Sequence, residues 1–291
     1  MRNATSQGKL IVCPTPIGNL GDITMRTLEA LRAADTVCAE DTRVTGKLLA
    51  AYDISKRLER LDEASLSAKA PAIVERILAG EVTAYCSDAG MPGVSDPGAR
   101  LVEAARKSGA SVEVLPGASA AVTAYVASRC ANTRYYFGGF FPRKANEQRE
   151  LVERLGDLDA ALVFYESPNR LVKTLAFLAD AFPYRELAVC RELTKIHEEI
   201  VRGATLEVSE AFAQRAAEGS IKGEIVIVID GPSDREREVR LHEAGSDAAV
   251  RAQELLAAGQ SKKDVVKAIA RDYGIGRNEA YDIVLEAAKR A

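Results

Sequence analysis

A short apolar, β-prone run that stops abruptly in a cluster of polar, glycine and proline residues recurs along this chain. Leu10–Cys13 runs into Pro14–Asp22 (PTPIGNLGD), Thr36–Ala39 into Glu40–Arg43, Val82–Cys86 into Ser87–Gly93, and Ser111–Leu115 into Pro116–Ala120. Further on, Ala161–Tyr165 precedes Glu166–Arg170 and Leu187–Cys190 precedes Arg191–Lys195, while Glu224–Asp230 (EIVIVID) ends at Gly231-Pro232. Between these runs, Met25–Ala34, Ala70–Leu78, Gly98–Lys107 and Leu171–Ala181 carry apolar residues at three- and four-residue spacing, the period of an amphipathic helix. Strand, loop and helix in alternation mean βαβ units, hence an α/β fold with largely parallel sheets.

The pattern changes near Gly138–Pro142, so a division is expected between about Ala118 and Gly139: an N-terminal α/β domain over 1–125 and a second α/β domain over 126–232. Ser233–Glu243 (SDREREVRLHE) has no strand pattern and reads as a charged linker that contains His242. The remainder, 246–291, is expected to be helical over Asp247–Ala258, Ser261–Tyr273 and Arg277–Lys289, divided by Gly259 and Gly274. Tyr273–Gly276 resembles the turn of a helix-turn-helix. Basic and acidic residues nearly balance in this segment. RNA binding, cover for apolar surface and dimer stabilisation therefore all stay open for it.

Composition narrows the classes. A net charge of −3 excludes a general polyanion binder, so any nucleic-acid contact has to be local or made to a folded target. The five cysteines are odd in number, scattered and never in a C-x-x-C pair, which argues against a disulfide framework or a zinc site and fits free thiols in a reducing compartment. The opening MRNATSQGK lacks an apolar h-region and reads as a short tail. No apolar run approaches the ~18–20 residues that span a bilayer. The expected location is cytoplasmic, with no membrane contact.

In parallel α/β sheets ligands bind beyond the carboxyl ends of the strands. Here those ends carry Glu40–Arg43, Glu166 and Arg191-Glu192, charges that are costly beside buried strands unless paired or used. Turn formation and structural ion pairing are the competing readings for each cluster. No G-x-G-x-x-G follows the first strand and no Walker A motif occurs, so the ligand is not a dinucleotide of the common kind. Gly90–Gly98 (GMPGVSDPG) is the densest glycine loop and lets backbone approach a flat, polar ligand.

Six motifs in order, PTPIGNLGD (Pro14–Asp22), AEDTR (Ala39–Arg43), SDAGMPGVSDPG (Ser87–Gly98), LPGASA (Leu115–Ala120), FYESPNR (Phe164–Arg170) and RELTKIHEE (Arg191–Glu199), resemble the tetrapyrrole methylase superfamily. The chain is most similar to its branch that methylates the 2′-oxygen of a cytidine in 16S rRNA. The resemblance implies two α/β domains, a mainly parallel N-terminal sheet and a mixed second sheet, with S-adenosyl-L-methionine in the cleft of a homodimer. It carries cofactor contacts onto Pro16, Asp88, Gly90, Met91, Gly93, Val94, Ser119, Ala120, Tyr165, Leu193 and Gly223. Two departures stand out. Met91 replaces a usual threonine, and Arg60–Ser65 (RLDEAS) lacks the histidine usual after the second strand.

A ribose hydroxyl is a poor nucleophile until its proton leaves, and a positioned carboxylate or lysine can assist. Asp41 is the first candidate base and Glu166 the next, with Glu40, Glu192 and Lys195 behind them. Arg43 belongs with this set. Arg43, Arg170 and Arg191 suit carboxylate orientation or phosphate binding. Phe140-Phe141-Pro142-Arg143-Lys144 would offer an aromatic and cations to an unstacked base and a phosphate, or else a core phenylalanine and a basic turn. His197 reads as a surface residue. The low positive charge favours 16S rRNA within the small ribosomal subunit as the partner. A methyltransferase for a small tetrapyrrole-like substrate and a non-catalytic RNA-binding protein with a retained cofactor fold are the alternatives.

Overall fold

The computed structural model describes residues 8–290, apart from the side chains of residues 240–245 and 290. The tail at residues 1–7 and the side chain of His242 lie outside the described residues. One compact unit runs to Gly231 and a second begins at Pro232.

The first sheet holds β1 (Lys9–Val12), β2 (Thr36–Ala39), β3 (Arg57–Arg60), β4 (Val82–Cys86) and β5 (Ser111–Val114). Its order is β3-β2-β4-β1-β5 and every pairing is parallel. The connections carry α1 (Met25–Ala33), α2 (Thr42–Ala51), α3 (Glu63–Leu78) and α4 (Gly98–Lys107). Alternation along the strands decides which helix goes where. Leu10, Cys38 and Tyr85 face α3 and α4 through Ile73, Ile77 and Leu101, while Ile11, Val37 and Ala84 pack with Leu31 of α1 and Leu49 of α2. Helix α3 starts earlier than the sequence period suggests. Asp62 and Ser65 form a reciprocal capping box at its start, and the helix continues through an exposed Pro71.

After α5 (Ala120–Ala127) come β6 (Tyr135–Phe140), α6 (Ala145–Leu155), β7 (Ala161–Glu166), α7 (Leu171–Ala181), β8 (Glu186–Arg191), β9 (Glu199–Ala204), α8 (Thr205–Glu218) and β10 (Ile225–Ile229). The second sheet runs β6-β7-β10-β8-β9. It is mixed: β6 pairs parallel with β7, and the other pairings are antiparallel. Leu162, Phe164, Leu187, Val189 and Ile227 face α7 and α8, and the intervening Val163, Ala188, Val226 and Val228 face Ala121 and Ala124 of α5. The expected division at 125/126 thus falls inside a helix buried on the second sheet. Ile17, from the loop after β1, joins the same cluster and binds the two sheets together.

The second unit contains α9 (Asp234–Ala257), α10 (Lys262–Asp272) and α11 (Arg277–Arg290). Its own core gathers Ala248, Ala252, Val265, Ile269, Ala280 and Val284. The linker expected over 233–243 is instead the capped start of α9. Ser233 caps α9 by accepting from the Glu236 N–H, and Asp234 pairs with Arg237 one turn on. A polar, charged stretch lacking an apolar stripe can be a solvated helix when it is capped and laced with such pairs.

Candidate active site

Strand ends from both sheets build the site. β1, β2 and β4 are parallel, so the loops that follow them leave the same edge of the first sheet. The loops after β1 and β4 are stitched by a two-way bridge, with Thr15 N–H donating to Gly90 O and Gly90 N–H to Thr15 O, both at 3.0 Å. The Thr15 hydroxyl also donates to Ser87 O at 3.3 Å. In the second sheet, antiparallel β10 begins where β7 and β8 end, with Ile225 opposite both Glu166 and Arg191. Between these ends lies a cavity of about 460 Å³.

Its walls are apolar at Ile17, Val94, Leu193, Ile225 and Val226, and acidic at Glu40, Asp88, Asp96, Glu166 and Glu224. The acids are not equivalent. Asp96 is spent on its own loop, accepting from Gly93 N–H and Gly98 N–H at 2.7–2.9 Å. Gly93 sits at φ +91°, where a side chain would be strained, and this left-handed turn aims its N–H at Asp96. Glu166 is buried, and its two oxygens accept from Ser167 N–H and the Thr174 hydroxyl, each at 2.6 Å, while Arg170 forms an ion pair with it. Glu224 pairs with Lys195 at 3.0 Å. Among the described residues, Glu40 forms no ion pair. Burial, together with the charges of Asp88 and Asp96, raises its carboxyl above the usual range, opposed by a hydrogen bond from the Asp88 backbone. Tyr165 is raised as well, chiefly by burial, and lies edge-on to Phe137 and Phe140.

Of the residues expected at the cofactor, Asp88, Gly90, Met91, Val94, Ser119, Ala120, Tyr165, Leu193 and Gly223 line this cavity. Pro16 lines a different one, and Gly93 is taken by Asp96. Of the expected catalytic set, Glu40 and Glu166 line it. Asp41 does not. It is the N-cap of α2, its carboxylate accepts from Arg43 N–H at 2.8 Å and from the Arg43 guanidinium at 2.5–3.1 Å, and these contacts hold it far below the usual carboxylate range. Lys195 bridges Glu192 and Glu224. Burial alone would lower its ammonium, but those two carboxylates outweigh burial and raise it. A proton held so firmly makes Lys195 a poor base. Arg170 and Arg191 are committed to Glu166 and Glu199, and Lys144 to Glu147. Arg143 is exposed just before the N-cap of α6. Phe140 is 59% exposed and lines the cavity, whereas Phe141 is buried in the core.

Sequence reasoning missed Ser87, Asp96 and Glu224 as wall residues. Asp96 and Glu224 each sit within two residues of a glycine already singled out, and that adjacency was the available signal.

A family model described as Tetrapyrrole (Corrin/Porphyrin) Methylases matches residues 9–209. The chain belongs to this family. Among curated relatives, "Ribosomal RNA small subunit methyltransferase I" of Halalkalibacterium halodurans is 37% identical over 95% of this chain and 94% of its own. The protein of the same name from Neisseria meningitidis is 39% identical over 96% and 93%. Solved methylase-fold structures include a diphthine synthase (TM-score 0.62, 14% identity, 77% of this chain and 90% of that one). A uroporphyrin-III C-methyl transferase from Thermus thermophilus complexed with S-adenosyl homocysteine also superposes (TM-score 0.55, 15% identity, 77% and 97%). These two share the fold. The methylase fold expected from the sequence, with one parallel and one mixed sheet, is the one observed.

Proposed function

We propose that this methylase transfers a methyl group from S-adenosylmethionine to small-subunit ribosomal RNA, at the ribose 2′-oxygen of a cytidine in 16S rRNA. The observation that carries the reading is the acid-ringed, apolar-floored cavity at the junction of the two sheets, in a chain aligned end to end with relatives named for that RNA. The donor set suits the cofactor. A sulfonium and an ammonium favour carboxylates, and a flat adenine favours Ile17, Leu193 and Val226. Bound there, the cofactor supplies a methyl group on a cationic sulfur.

The chain's own residues then align and deprotonate. Glu40, in no ion pair among the described residues and raised by burial, is the proposed base for the ribose hydroxyl. Glu166, paired with Arg170 and accepting from the Thr174 hydroxyl, holds the β7 end of the wall. Asp88 and Ser119 are proposed as polar contacts of the cofactor, and Tyr165 as a ring that keeps water from it. The proposed acceptor is the folded small subunit, and the proposed enzyme is a cytoplasmic homodimer. Exposed Val122 and Val126 on α5 support a partner surface there, and no helix among the described residues is long and apolar enough to cross a membrane.

The test is methyl transfer from labelled S-adenosylmethionine to 30S subunits from cells lacking the protein, with a corrin precursor as the control acceptor. Mass spectrometry of the product should find one new ribose methyl on a 16S cytidine. Label in the corrin precursor, or in neither acceptor, overturns the reading.

A further inference from the structure

A second cavity, of about 420 Å³, lies against the first and shares Ser87 and Asp88 with it. We infer that it seats one nucleotide of the RNA acceptor, with the base on its apolar wall and a backbone phosphate on Lys47. The inference rests on the proposed RNA methylation.

The chemistry of the lining points that way. Leu20, Val44 and Leu48 supply an apolar surface, and Leu20 and Val44 are 49% and 42% exposed, open to a flat ligand. Lys47 is an exposed cation that pairs with no carboxylate among the described residues. In a chain of net charge −3, where most cations flanking the first cavity are committed to acids, a free lysine beside an apolar recess suits a phosphate attached to a flat base. Thr45 adds a second signal. It is buried in the wall and its hydroxyl has no hydrogen-bond partner, a group that ordinarily finds one in the protein or in a ligand.

The recess is also preformed. Asn19 caps the turn Leu20–Asp22, and the Tyr52 hydroxyl at the far end of α2 donates to Leu20 O. The Thr15 hydroxyl and the Asp41 N–H pin the shared wall at Ser87 O and Asp88 Oδ1. Little ordering therefore remains to be done on binding. Ser87 and Asp88 line both this seat and the proposed cofactor cavity, whose wall also carries Glu40, so a strand lying in the seat runs beside the proposed base.

The test uses Lys47→Ala and Val44→Asp, both at exposed positions, with 30S subunits as acceptor. Lys47→Ala should raise KM for 30S subunits about tenfold and make the salt dependence of their binding shallower by about 0.7 in log–log slope, the signature of one lost phosphate contact on single-stranded RNA. Val44→Asp should raise KM at least as far. S-adenosylmethionine affinity, read by calorimetry, should stay within about twofold. Unchanged KM and salt slope in both variants of an active enzyme overturn this inference alone. A parallel loss of cofactor affinity assigns the recess to the cofactor and also overturns it. A wild-type protein that methylates no 30S subunit overturns the functional reading and this one with it.

Discussion

The backbone N–H of Asp41 donates to the carboxylate of Asp88 at 3.0 Å. That bond ties the first turn of α2 to the loop after β4 and sets the height of the wall between the two cavities. It also separates two adjacent acids. Asp41 holds the helix start and Arg43, while Glu40, one residue earlier, faces the cavity.

Glu40→Gln should therefore lower single-turnover methyl transfer by about 10²–10⁴-fold with cofactor affinity retained. Asp41→Asn, which keeps a capping side chain, should stay within about tenfold of wild type. The reverse ranking would return the base to Asp41.

The same substitution has a stability signature. Glu40 is raised in the folded protein, so folding favours its protonated form, and stability is lost as pH rises from the unfolded carboxyl value through the raised one. Glutamine carries no such loss. Thermal melts should show the variant gaining on wild type as pH rises through that window and matching it at acid pH.

Arg170→Ala should destabilise by about 3–5 kcal/mol in urea unfolding, because it leaves the fully buried Glu166 without its counter-ion. Thr174→Val removes one donor from the same carboxylate and should cost about 1–3 kcal/mol. A loss confined to RNA affinity, with stability intact, would instead make Arg170 a phosphate contact.

Gly18→Ala tests how the walls meet. A β-carbon there would lie 2.5 Å from Lys195 Cγ and 2.9 Å from Leu193 O, so the loop after β1 and the loop after β8 must part. Calorimetry should find cofactor affinity reduced about tenfold or more. Wild-type affinity would mean that the first cavity does not depend on this contact.

The thiols should be quiet. Burial pushes Cys38 and Cys190 up to about 12 and Cys130 to about 11. Thiolate is the reactive form. A thiol reagent at neutral pH should label the native protein slowly, at half-exposed Cys130 first, and all five cysteines on unfolding.

Much of this architecture was legible because strands and loops differ sharply in composition. The runs at Leu10, Thr36, Val82, Ala161 and Glu224 are all strands, and the polar clusters after them converge. What escaped was set by tertiary contact. β3 (RLER) and β9 (EIVRGA) are edge strands with polar faces, so their pairing leaves little apolar signature. Helix α5 is apolar all round and has no period to read. The ranking of Asp41, Glu166 and Glu40 depended on which carboxylate a neighbouring arginine reaches. Arg43 and Arg170 stand two and four residues from their partners, but only folded geometry shows them closed onto those acids and leaves Glu40 open.

β10, last of the strands, lies between β7 and β8. During synthesis those two strands must wait, with facing edges unpaired, until residues 225–229 leave the ribosome. The residues at its start, 223–226, are also the last along the chain to line the cavity. The first sheet is thus complete in the chain long before the cavity is, and a chain cut short ahead of Ile225 lacks part of the wall and leaves the facing edges of β7 and β8 unpaired.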